Sequence, residues 1–459
     1  MLKERLCWRD RPNAPVLAIE RQVGGNMLIR FISAGVIVSC LRGAIIAAFP
    51  LSLMSTNALT APVESVIYSF KGGPTDGANS LAKLIDRNGV LYGTTNAGGT
   101  NNNGAVFKLT LEGTVWVETV LYTFKGGSDG ASPQAGLVTD KQGALYGTTI
   151  GGGNGYGTVF MLTPPVKGKS IWTEAILYKF CSQSNCSDGA NPYAGLMIRD
   201  GILYGTTGFG GNIVPNCYPY RGCGTVFKLT PNNDQSVWTE TVLYRFNPQN
   251  DSDGIVPSPG SLITDSKGAL YGTTVSGGNA GPTLIPPGYG TVFKLSPQHD
   301  SQKFTETVIY SFNGGSDGAY PYAGLIIDQG EFYGTTASGG SAVGSHGYGT
   351  VFMLTPPVNG KTWMETVIYT FCSKSNCSDG ANPYDFAGLT VDKSGAIYGT
   401  TVSGGVGTGG TIFKLTKVNN VCTKTVLYGF KTSEGTNPFA SLTTYNGALC
   451  GTTTQSGVG

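Results

Sequence analysis

Asp-Gly steps recur along this chain in equivalent places, at Asp76, Asp129, Asp188, Asp253, Asp317 and Asp379, with Glu434-Gly435 as a seventh. Carboxylates repeated in this way could bind calcium, or act in pairs as acid and base on a glycosidic bond. Either use needs unequal carboxylates that converge, and copies spread around a ring stay apart. The preferred reading is that each Asp caps the turn into the following Ala-x-Pro. Calcium at these loops is the one cofactor left open. Only two histidines exist, His299 and His346, too few for His-based triads or multi-His metal sites. No P-loop, nucleophile elbow or His-Glu-x-x-His occurs, and GGGNGYG at Gly151 to Gly157 lies between strands instead of opening a helix.

The elements that would position such residues come from an internal repeat. Leu-Tyr-Gly-Thr-Thr stands at Leu91 to Thr95, Leu145 to Thr149, Leu203 to Thr207 and Leu270 to Thr274, and in altered form at Phe332 to Thr336, Ile397 to Thr401 and Leu449 to Thr453. Around each copy lie three more short segments in fixed order, giving strands a (AGLxxD), b (xLYGTT), c (GTVFKLT) and d (WxETVLYxF). All are rich in Val, Thr, Leu, Ile, Phe and Tyr and bounded by Gly, Asn, Asp or Pro. Four strands per unit and seven units predict an all-β fold, a seven-bladed β-propeller, with a solenoid as the lesser alternative. The a-to-b turns are Asp-x-x-Gly at Asp86, Asp140, Asp265 and Asp392. Strand d occurs seven times from Val63 to Phe70 onward, but strand c only six, because the chain stops just after the seventh b. The last blade is therefore expected to be incomplete, missing strand c, with an open edge beside Val63 to Phe70 or a gene model cut short.

Composition narrows the function. With 30 Lys+Arg against 28 Asp+Glu and 13% charged residues, the chain has no polyelectrolyte face and is not expected to bind nucleic acid. Its 70 glycines lack a collagen period, and 23 Tyr with 20 Phe supply a core. Residues 1–26 read as an over-extended start. Residues 27–61 read as a signal peptide or membrane anchor: a basic Arg30, an apolar run from Phe31 to Cys40, and a second from Ala44 to Met54 after Arg42. Residues 62–459 are the propeller. Export, to the periplasm, cell surface or beyond, and membrane contact only through the N-terminal segment follow from this reading. The cysteines agree. Cys181 and Cys186, Cys217 and Cys223, and Cys372 and Cys377 are local pairs expected as disulfides of an oxidising compartment. Cys422 replaces the strand-d Trp and Cys450 the strand-b Tyr at the defective end, so a fourth bridge is expected between them.

Thirteen tyrosines hold repeat positions and are read as packing between blades. What varies is the b-to-c loops, which share one face of the disc with the d-to-a loops. Loops on a rigid scaffold are where binding usually lives, and non-repeat side chains gather there: Phe209, Tyr218, Tyr220, Arg221, Tyr289, His346 and Tyr348. These are the candidate ligand-binding residues, with tolerance of Gly-rich loops as the equal alternative. A segment from Thr163 to Leu196 returns almost unchanged at Thr355 to Leu389, which favours a scaffold grown by duplication.

LYGTTxxGGxxxxGTVFKLTP followed by WxETVLYxFxGGxDGAxPxAGL resembles the bacterial GloVer tandem repeat over about Val63 to Thr453. The resemblance implies an exported, anchored repeat protein and supplies no activity or site residues; the C-terminal anchor of that pattern is not read in these residues, so retention is expected to fall to the leader. The function expected is a monomeric, non-catalytic scaffold that binds a glycan or surface protein through the b-to-c loop face. The alternative is a propeller-fold carbohydrate-active enzyme, hydrolase or lyase, working through Asp188, Asp253 or Asp379.

Overall fold

The computed structural model describes residues 28–33 as backbone and residues 64–454 less 168, 213, 215–216, 218–221, 248–251, 280–287, 299–302, 341–346, 358–361, 385–387, 419–420 and 432–434. It is all-β and forms a β-propeller. Six blades take their strands in chain order, the second being Val138–Thr139 (a), Leu145–Thr149 (b), Thr158–Thr163 (c) and Thr173–Lys179 (d). Every a-b, b-c and c-d pair in these six is antiparallel, as in the first blade from Ile85–Arg87 to Val115–Thr123.

The strand alternation dictates how blades stack. In the second blade Leu137, Leu145, Phe160 and Leu162 join a core with Val106 and Phe124 of the first blade, whereas Tyr146 and Val159 join Leu203 and Phe227 of the third. Successive residues thus feed opposite neighbours, and both faces of each sheet are buried. The strand-d Phe of one blade meets the strand-c Phe of the next edge to face, as in Phe124 with Phe160 at 5.1 Å and Phe180 with Phe227 at 5.0 Å. Such pairs contribute about 0.5–1.5 kcal/mol each beyond their burial. The Gly of LYGTT has a steric cause: a Cβ on Gly147 would lie 2.6 Å from the Phe160 ring and 2.9 Å from Leu137. Thr148 donates its hydroxyl to the Ala194 carbonyl of the following blade at 3.1 Å, and Thr94, Thr273 and Thr400 do the same at their own interfaces.

The remaining strands build a composite sheet in the order Glu64–Ser69, Leu28–Ser33, Ala448–Thr453, Thr443–Tyr445. Leu442 and Leu449 pack on the sixth blade, and Ile67, Phe70, Tyr445 and Cys450 pack on the first. Thr452 donates to the Ala82 carbonyl at 3.4 Å, repeating the interface bond of the other blades and closing the ring. The edge expected to stand open is occupied. Leu28–Ser33, expected in the leader, lies where strand c is missing and pairs parallel on both sides, whereas the c strands of the six blades are antiparallel to both neighbours.

Three disulfides join Cys181 to Cys186, Cys217 to Cys223 and Cys372 to Cys377. The expected bridge between Cys422 and Cys450 is not formed. Cys422 opens towards Tyr333 and Glu331 of the fifth blade, while Cys450 is sealed in the core shared with the first. Positions that align within the repeat are carried on opposite sides of the last two sheets. No helix among the described residues is long and apolar enough to cross a membrane.

Candidate functional site

The d-to-a and b-to-c loops do share a face, and they are stitched together there by short antiparallel bridges, Ala131 with Gly151, Ala190 with Phe209, Ala319 with Ser338 and Ala381 with Ser403. The stitching leads the chain inward to the axis, where each unit delivers a residue from the segment just before strand a. In chain order these are Leu81, Gln134, Tyr193, Pro259, Tyr322, Tyr384 and Phe439. Together with Phe209 and Tyr320 they line a funnel of about 650 Å³ at the mouth of the central channel.

The funnel walls are aromatic. Tyr322 and Tyr384 stand 4.4 Å apart between centroids, and Tyr193 meets Phe209 at 6.0 Å. Gln134, Ser276 and Ser338 place hydrogen-bonding side chains among the rings. An apolar cavity of this size with a few convergent polar groups is the usual form of a small-ligand site. Flat rings beside hydroxyl and amide groups suit a ligand with one apolar face and several hydroxyls. None of the residues lining the funnel is charged.

Of the residues expected from sequence, Phe209 lines the funnel. Tyr289 lies over Gly314 and 5.9 Å from Tyr320, behind the wall. Tyr348 is 36% exposed, and its carbonyl accepts from the Asn382 amide at 2.8 Å. Tyr218, Tyr220, Arg221 and His346 lie outside the described residues. Sequence reasoning missed Tyr193, Tyr320, Tyr322, Tyr384 and Phe439. Their signal was the aromatic beside Pro just before strand a, after it in Asn191 to Tyr193, Asn382 to Tyr384 and Asn437 to Phe439, and on both sides of it in Tyr320 to Tyr322.

The repeated carboxylates are engaged elsewhere. Asp76, Asp188, Asp253 and Asp379 are buried, and each accepts the hydroxyl of its own strand-d tyrosine: Tyr68 to Asp76 at 3.1 Å, Tyr178 to Asp188 at 2.8 Å, Tyr244 to Asp253 at 2.8 Å and Tyr369 to Asp379 at 2.6 Å. Backbone amides complete the loop, Ser182 N to Asp188 at 2.8 Å and Asn247 N to Asp253 at 2.8 Å. Behind each Asp stands the strand-d Glu of the next blade. Burial, with Asp76 and Asp253 adding repulsion, pushes Glu118 and Glu306 up to about 8. Burial and the neighbouring Asp129, Asp188 and Asp317 push Glu174, Glu240 and Glu365 up to about 7. In the sixth blade Lys424 takes the Glu position. It donates to the Asp379 carbonyl, and burial pulls it down to about 7 against the pull of Asp379. Among the described residues no three His, Cys, Asp or Glu gather as a metal site.

A ring of short four-stranded units with a ligand-sized funnel on its axis and its carboxylates tied into turns defines a β-propeller repeat protein. The chain belongs to the Gloeobacter/Verrucomicrobia repeat family, whose sequence profile matches residues 54–285 and 286–459. No functionally curated protein matches the sequence. Solved structures similar in chain path include a candidate 6-phosphogluconolactonase from Bacteroides uniformis (11% identity, 85% of this chain and 94% of that one, TM-score 0.44). A puromycin-hydrolysing peptidase of Mycobacterium tuberculosis (10%, 86% and 50%, 0.45) and an α-L-arabinofuranosidase of Clostridium thermocellum (11%, 76% and 93%, 0.33) are others. Identities and scores this low carry no mechanism or ligand across.

Proposed function

We propose that this protein is an exported, non-catalytic scaffold whose propeller binds a glycan through its loop face, in the aromatic funnel. The composite sheet serves in this reading as a seventh blade whose strand c is borrowed from the N-terminal segment. The observation that carries the binding assignment is the funnel itself, with Tyr193, Phe209, Tyr322, Tyr384 and Phe439 around its wall. Aromatic faces pack on the C–H face of a sugar ring, while Gln134, Ser276 and Ser338 can hydrogen-bond its hydroxyls. Three disulfides in the loops support export, since such bonds persist in oxidising compartments. The enzymatic alternative is less favoured: Asp188, Asp253 and Asp379 are buried and bonded to tyrosines, and none lines the funnel. Glycosidic hydrolysis would need two of them within about 5–10 Å across a substrate cleft.

A glycan and surface-protein array probed with the full chain tests this. Glycan signal is expected for the wild type and lost for Tyr193→Ala with Tyr384→Ala, while Tyr289→Ala retains it. Loss on Tyr289→Ala alone would move the site to the outer loops, and signal only on protein spots would replace the ligand class.

A further inference from the structure

Below the funnel the seven a segments each bring one residue to the axis: Lys83, Gly136, Gly195, Ser261, Gly324, Gly388 and Ser441, lining a channel of about 510 Å³. Crowding explains the small residues. A Cβ on Gly195 would lie 2.5 Å from the Ser261 hydroxyl, one on Gly388 2.7 Å from that of Ser441, and one on Gly136 3.0 Å from the Lys83 carbonyl. There is room for one long side chain, and Lys83 supplies it. Its Nζ reaches past the composite sheet to within 3.4 Å of Thr390 Oγ1 in the sixth blade.

Among the described residues the amine has no acidic neighbour in the channel. None of the described residues lining the channel is Asp or Glu, and the ion pairs Arg199 with Asp200 and Lys417 with Glu331 lie elsewhere. Lys83 is half-buried among the channel walls, and the hydration it loses there pulls its pKa below the ordinary lysine value. A cation so enclosed is costly without an anion beside it. The channel also adjoins the funnel, since Pro259 lines both, so a ligand has a way in.

We propose that Lys83 makes the central channel a binding site for a small oxyanion, a carboxylate or a phosphate, held by Nζ with the Thr390 hydroxyl beside it. This goes beyond the glycan reading and does not depend on the funnel aromatics. Acetate and inorganic phosphate are the probes and acetamide the neutral control, titrated into the full chain by calorimetry and followed by melting temperature. At least one of the two anions is expected to bind and raise the melting temperature, with acetamide inert. A carboxylate site favours acetate and a phosphate site favours phosphate. Affinity is expected to fall as pH rises through the lysine's lowered pKa, because only the protonated amine attracts the anion. Lys83→Gly restores the residue of most other units, and Lys83→Ser copies Ser261 and Ser441. Each is expected to fold and to bind the anion at least tenfold more weakly, while Lys83→Arg retains binding. Equal affinity in wild type and in whichever small-residue variant folds overturns the proposal, as does binding of acetamide as tight as that of acetate. Tyr193→Ala with Tyr384→Ala should leave anion affinity unchanged, so the glycan assignment can fail without this one.

Discussion

Glu306 in strand d of the fourth blade and Asp253 in the loop leaving the third form a buried acid pair across the gap between them. Among the described residues, Glu306 Oε1 is buried with no hydrogen-bond partner. Burial and Asp253 raise Glu306 to about 8, and burial raises Asp253 to about 6. The same Glu position, with pKa about 7 to 8, recurs at Glu118, Glu174, Glu240 and Glu365. A carboxyl raised in the folded state binds more protons there than in the unfolded chain, so it favours folding at low pH. That contribution is full below the ordinary Glu value and is lost as pH climbs through about 7 to 8. Lys424 acts with the opposite sign, but only above its folded value of about 7. The melting temperature is therefore expected to fall between pH 5 and pH 8, on the order of 5 °C. Glu306→Gln should melt higher than wild type at pH 8 and alike at pH 5. A flat profile from pH 5 to 8 would refute the account.

Gly147→Ala tests the blade packing. The new methyl has to share space with the Phe160 ring and Leu137, and overpacking of this kind costs about 1–3 kcal/mol. Gly315→Ala is the control, because no atom lies within 4 Å of the added Cβ. Urea denaturation should separate the two by that margin. Equal midpoints would mean the interface yields more readily than its contacts suggest.

Much of the fold was legible because the repeat writes the same physical constraint many times. Gly147 under Phe160, Asp140 capping its turn through the Gly143 amide at 2.7 Å, and Tyr178 on Asp188 each follow from residues that return in register. The site was less legible for the same reason. Tyr193, Tyr322 and Tyr384 hold a recurring Pro-Tyr position, so a search for what varies passed over them. Only convergence of the strands on the axis makes them one surface. Lys83 was invisible in a different way: it replaces one glycine in one AGL, and nothing along the chain says that this glycine faces the axis. Cys422 and Cys450 misled because alignment within a repeat unit does not say which neighbouring blade a side chain faces.

Reduction should cost stability. Each of the three disulfides closes a loop of five or six residues of separation, worth about 2 kcal/mol by loop entropy. Adding dithiothreitol is expected to lower the melting temperature, and Cys181→Ala with Cys186→Ala to reproduce part of the fall. A melting curve unmoved by reductant would mean that these loops are held by their Asp and Tyr contacts alone.

The N-terminal strand offers a separable test. Leu28–Ser33 lies between Glu64–Ser69 and Ala448–Thr453, so removing residues 1–61 leaves two strand edges facing a gap, an arrangement that folded chains usually avoid. The truncated chain is expected to melt lower and to associate at high concentration by light scattering. If it melts like the full chain and stays monomeric, this strand contributes nothing to ring closure.

The two described cysteines outside the disulfides, Cys422 and Cys450, should differ in reactivity, and the difference reports on the last two sheets. Cys450 is fully buried in a core with Ile67, Phe70 and Tyr445, whereas Cys422 is partly exposed beside Lys417 and Glu331. Burial raises the Cys422 thiol, with Lys417 opposing it, so its thiolate fraction, and with it the alkylation rate, should climb as pH rises above neutrality. Treating the native protein with N-ethylmaleimide and mapping peptides by mass should find Cys422 modified and Cys450 unmodified until denaturant is added. A disulfide between them would leave both unmodified even in denaturant until reductant is present, and would mean that strand d of the sixth blade packs against the composite sheet in another register.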